Sequence, residues 1–63
     1  MQNAKLPDKQ FVGRIRAAEL LDCSVQLIDK FIRLGQLRAY HLGRKVVLRE
    51  ADLLSMVEAN EIR

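Results

Sequence analysis

The chain has 63 residues, and 11 Lys and Arg against 8 Asp and Glu give a net charge of +3. A domain this small buries only roughly 60% of the surface its unfolded chain exposes, which excludes two cores and leaves little room for a deep, walled reaction cavity. Hydrophobic residues at 49%, charged residues at 30% and aromatics at 5% exclude a disordered chain and predict a compact, helix-rich core of Leu, Ile, Val and Ala.

Residues 1–10 include Pro7 and show no apolar period, which predicts a flexible N-terminal arm. They contain no signal-like apolar stretch, and no run in the chain approaches the roughly 20 apolar residues of a membrane span. The expectation is a cytoplasmic protein with an ordered domain over residues 11–60 and a short tail over 61–63. The domain opens on a strand-like or extended Phe11-Val12. Ile15, Ala17, Ala18, Leu20 and Leu21 then recur at helical spacing, with Gly13 as a tolerable cap.

Asp22 and Cys23 make a very short break. Ser24 is a preferred N-cap, and Gly35 stands where a left-handed glycine ends a helix, so the spacing predicts a second helix over Val25 to Leu34. At about 100° per residue, Leu27, Ile28, Phe31, Ile32 and Leu34 gather on one side. Val25, Gln26, Asp29, Lys30 and Arg33 gather on the other.

Ala39-Tyr40-His41-Leu42 and Val46-Val47-Leu48 favour strands, and Gly43-Arg44 suits a two-residue turn with Gly first. The prediction is a hairpin tipped by Arg44 and Lys45. Glu50 to Asn60 returns to helical spacing, with acids Glu50 and Asp52 well placed in the first turn. Leu53, Leu54 and Val57 form its expected core stripe, with Met56 and Ile62 off that direction.

Charge is blocked along this order. Up to Asp29 acids and bases balance. From Lys30 to Arg49 there are six bases and no acid, and Glu50 to Ile62 holds four acids and no base. With a pI near 9.5, the middle block points to a polyanionic partner. Cys23 is the sole cysteine, which excludes an intrachain disulfide and a multi-cysteine metal site; a small core residue is its expected role. His41 has no second His or Cys at ligand spacing, so packing or surface exposure outweighs metal binding. No cofactor, small-molecule ligand or catalytic pairing of nucleophile and base is expected.

The expected fold is therefore mainly α with a small β-hairpin: helix, turn, recognition helix, two-stranded wing and C-terminal helix. Two short helices across so tight a turn, the second basic on its outer face, match a helix-turn-helix. With the hairpin following as a wing, the order is that of a minimal winged helix-turn-helix.

Arg16 to Val57 also resembles the excisionase-type, MerR-like family of winged helix-turn-helix DNA-binding domains. The marks are Ala17-Ala18 followed by Leu20-Leu21, Ser24 opening the second helix, Gly35 with Leu37 and Ala39, the Leu42-Gly43-Arg44-Lys45 tip, and Asp52-Leu53. The family commonly has Arg where Val25 stands and Tyr where Asp29 stands. The resemblance implies an excisionase, or recombination directionality factor, that binds and bends double-stranded DNA with neighbouring copies of itself and helps an integrase excise a mobile element. Such a protein would act on the nucleoid. A small transcriptional regulator of the same fold is the nearest alternative. An adaptor or antitoxin-like protein-interaction module, without DNA, is an alternative of another class.

On chemistry, Gln26 carries the bidentate amide that reads adenine and is the expected base reader. Lys30 and Arg33 suit guanine edges or, more commonly, phosphates. Val25 suits a thymine methyl. Asp29 is expected to orient Arg33 at i,i+4 in preference to accepting from cytosine N4. Ser24 caps the helix and turns its N-terminus toward a phosphate. Arg44 and Lys45 suit the backbone or a narrow minor groove, with Arg38 and Arg49 as flanking phosphate contacts. Tyr40 is expected to support the wing.

Overall fold

A computed structural model describes residues 11–62; the expected arm over 1–10 and the terminal Arg63 lie outside the described residues. Three helices and a three-stranded antiparallel sheet follow in the order β1 (Phe11–Gly13), α1 (Arg14–Leu21), α2 (Val25–Arg33), β2 (Tyr40–Leu42), β3 (Lys45–Arg49) and α3 (Glu50–Ala59). The sheet runs β1-β3-β2, so the expected two-stranded hairpin is only part of it. Phe11 to Gly13 pairs with Arg49 to Val47 and occupies the second edge of β3, whose backbone groups would otherwise go unpaired. The strand-like reading of Phe11-Val12 holds, but three residues are too few to display an alternating pattern, so the sequence does not name the strand they pair with.

Gly13 is both the last residue of β1 and the N-cap of α1. Asp22 closes α1 in the left-handed region at φ 56°, a conformation that Asp tolerates better than most residues. The backbone N–H of Cys23 donates to the Ala18 carbonyl at 2.9 Å, and the chain turns into α2 within three residues. Ser24 caps α2 as expected, its Oγ accepting from the Leu27 N–H at 3.1 Å. At the far end Gly35 has φ 79°. Its N–H donates to Ile32 and that of Gln36 to Phe31, the paired closure of a Schellman motif.

In the hairpin, Gly43 has φ 63° and Arg44 does not share the positive φ, which is the geometry of a type II′ turn. Tyr40, His41 and Leu42 pair with Val47, Val46 and Lys45. Asn60 ends α3, its side-chain amide donating to the Met56 carbonyl at 2.8 Å.

The core is small: Ala17, Ala18, Ile28, Leu37, Leu48, Leu53 and Met56 are buried, with Val12, Leu21, Cys23, Val25, Phe31, Ile32 and Ala39 packed against them. Several residues depart from their expected places. In α1 the buried face is the Ala17-Ala18 pair, whereas Ile15 and Leu20 are exposed; two alanines let α1 approach α2 closely. Leu34 is exposed because it stands at the C-cap, past the last full turn of α2. In α3, Leu53 and Met56 point inward and Leu54 and Val57 outward, so the helix is rotated from the expected Leu53, Leu54 and Val57 stripe.

Candidate nucleic-acid interface

Helix α2 carries most of the expected site residues, and its geometry separates them. Gln26, Lys30 and Arg33 are all exposed, and their spacing of four and then three residues aligns them as one ridge. Val25 lies some 60° from the Ile28 direction on a helical wheel, and it is half-buried against the core. Its expected place on the outer face is thus corrected: much of its side chain is already occupied by packing.

Asp29 is also corrected. Its carboxylate accepts from Nη1 of Arg14 through both oxygens, at 2.9 and 3.0 Å. The partner is therefore a residue fifteen positions away on α1, and no ion pair with Arg33 forms among the described residues. Asp29 stands on the side of α2 that faces the start of α1, and the turn at Asp22–Ser24 brings Arg14 to it. Local i,i+4 reasoning has no access to that contact.

Arg14 sits where two grooves meet. One, of about 580 Å³, runs between α2 and the β2–β3 hairpin and is lined by Arg14, Asp29, Arg33, Arg38 and His41, with Tyr40 among its walls. The other, of about 340 Å³, lies between the start of α1 and the hairpin tip, lined by Arg14, Arg16, Arg44 and Lys45. Arg14 and Arg16 are thus members of the basic surface that the sequence reading left out, because counted by segment their charge cancels against nearby acids. Arg16 is tied to Glu19 at 3.2 Å across one helical turn. Their signal in the sequence was position, since they open the helix that precedes the basic block.

Arg38, Arg44 and Lys45 are exposed, as is His41 on β2. Arg49 is exposed too, but it is engaged: its guanidinium lies 5.6 Å from the Phe11 ring centre and 5.7 Å from that of Tyr40. The two rings meet edge to face at 6.2 Å, so Phe11, Tyr40 and Arg49 tie the three strands together on the sheet face opposite buried Leu48. Tyr40 thereby supports the hairpin as expected, whereas Arg49 is a strand clamp rather than a free flanking cation. Among the described residues no group of three or more His, Cys, Asp or Glu gathers to hold a metal, and no helix is long and apolar enough to cross a membrane.

Chemically, the surface offers guanidinium and ammonium groups on three elements around an exposed amide on α2. That combination suits a row of phosphates together with a base edge. No protein-family model, curated protein or solved structure matches this chain.

Proposed function

We propose that this chain is a sequence-recognising, non-catalytic DNA-binding protein of the winged helix-turn-helix kind. In this reading α2 enters the major groove and the β2–β3 hairpin is a wing. The observation that carries it is the exposed Gln26–Lys30–Arg33 ridge standing beside grooves walled by Arg14, Arg38, Arg44 and Lys45. Gln26, in the first turn of α2, reads a base edge, preferring the adenine N6 and N7 pair. Lys30, Arg33, Arg38, Arg44 and Lys45 hold phosphates, and Arg14, steadied by Asp29, stands between the two grooves as a further hydrogen-bond donor to a phosphate oxygen.

Within this class we favour an excisionase that bends DNA for a partner integrase, on the resemblance of Arg16 to Val57 to that family. One short helix in one groove reads only a few base pairs, so neighbouring copies or the integrase supply the remaining specificity. The alternative is a small transcriptional regulator. An integrase gene adjoining this one supports excision, and its absence supports regulation.

The test is a mobility-shift titration on mixed-sequence duplex at two salt concentrations. With about six phosphate contacts, affinity should fall on the order of 2,000-fold between roughly 50 and 200 mM salt. Absence of binding at the lower salt would overturn the proposal.

A further inference from the structure

On the side of the molecule formed by the end of α1 and by α3, an apolar groove of about 500 Å³ is lined by Leu20, Leu21, Ala51, Leu53, Leu54 and Val57, with Glu50 at its wall. It shares no lining residue with the two basic grooves. Leu20 is 44% exposed, Leu54 59% and Val57 45%, values high for leucine and valine side chains when just seven of the described residues are buried in the core. A second depression of about 230 Å³ continues the groove past Leu21 and Val57 to Cys23, Leu27 and Phe31.

The α3 side of the groove carries only acids. Glu50, Leu54 and Val57 follow one another by four and three residues, and Glu58 follows Leu54 by four, so acids and exposed apolar groups share one face of α3. Glu61 continues the series past the helix end, and no Lys or Arg occurs from Glu50 to Ile62. An elongated apolar channel beside a row of carboxylates is complementary to an amphipathic helix whose apolar stripe is bordered by Lys or Arg.

We infer that the α1–α3 groove is a docking site for a cationic amphipathic helix of a partner protein. Two or three apolar side chains of that helix fill the space between Leu20, Leu54 and Val57, and its flanking cations meet Glu50, Glu58 and Glu61. Because the basic grooves lie elsewhere, the chain can hold such a helix and a polyanion together. The inference stands apart from the DNA reading, since it uses none of the same residues.

The experiment uses the full chain labelled with nitrogen-15 and a synthetic helix of about 18 residues, with Leu at i, i+3, i+4 and i+7 and Lys on its flanks. A twin peptide carries Glu in place of Lys. Saturable amide shifts at Leu20, Leu21, Leu54 and Val57 with the Lys peptide, and none with its twin, are expected. Leu54→Lys should weaken the Lys peptide by about tenfold or more. Glu58→Gln with Glu61→Gln should weaken it by about threefold and flatten its salt dependence. All three substitutions fall on exposed side chains, and unchanged amide spectra elsewhere confirm that the variants fold. Shifts confined to other surfaces, or equal binding of both peptides, would overturn the inference. So would a self-association abolished by Leu54→Lys, which would make a second copy the occupant. Cross-relaxation from Leu6 to Leu54 or Val57 in the free protein would equally overturn it, since the chain's own first ten residues would then fill the groove.

Discussion

At the scale of single residues, the proposed DNA reading assigns base recognition to Gln26 and phosphate holding to the cations around it. Truncating Gln26 to Ala should weaken binding to a selected site by about 1–3 kcal/mol and relax preference at one base position, with little change on random duplex. Arg44→Ala should weaken all sequences alike and lower the slope of log affinity against log salt by about one. Binding titrations on a selected and a random duplex separate the two, and equal losses for Gln26→Ala on both would remove it as the reader. The Arg14–Asp29 pair is partly exposed, with side chains 45% and 40% accessible, so breaking it with Asp29→Asn should lower stability by less than about 1 kcal/mol. The same change removes a negative charge beside the basic groove, and DNA affinity should rise. A fall in affinity would mean that holding Arg14 in place matters more than the charge. Of these residues the exposed ridge was legible from helical spacing alone, whereas the Asp29 partner was not, because fifteen residues of chain separate it from Arg14.

At the scale of elements, chain punctuation was the most readable layer. Ser24 and Gly35 mark α2, and Gly43 marks the hairpin, because each supplies local chemistry that does not depend on distant packing. Losing the Ser24 cap by mutation to Ala should cost about 1 kcal/mol in chemical denaturation. Gly35 and Gly43 have open space where a Cβ would stand, so their replacement by Ala meets no neighbour. The penalty is one of backbone conformation, roughly 1–2 kcal/mol at Gly35 and at least as large at Gly43, whose place in a type II′ turn selects Gly. A neutral Gly35→Ala would show that the α2 terminus does not hold its left-handed turn. The rotation of α3 and the pairing of β1 with β3 were less legible. Leu53, Leu54, Met56 and Val57 cover too wide an arc for spacing to choose a face, and the choice is made by what α3 packs against. Strand β1 pairs with residues over thirty positions later, so its own three residues suggest a strand-like segment but not its place in the sheet.

At the scale of the whole molecule, the chain divides its surface by charge. The start of α1, the α2 ridge and the hairpin tip are basic, and α3 is acidic with an apolar face, an arrangement announced in the sequence by the acid-free run from Lys30 to Arg49 and the base-free run from Glu50 to Ile62. All of it rests on a core in which seven of the described residues are buried. Ile28 is wholly buried on the inner side of α2; Ile28→Ala should cost about 2–5 kcal/mol, a large share of what so small a domain possesses. Calorimetry should find that variant largely unfolded near 37 °C, whereas Arg44→Ala should melt like the parent.

The most direct test of the division of labour is to titrate the nitrogen-15 labelled chain with a mixed-sequence duplex of about 20 base pairs at low salt, where phosphate contacts are strongest, and to map the amide shifts. Saturable shifts are expected at Gln26, Lys30, Arg33, Arg44 and Lys45, with Leu54 and Val57 unmoved. No saturable shift, or shifts gathered on α3 with the α2 ridge and hairpin silent, would contradict it.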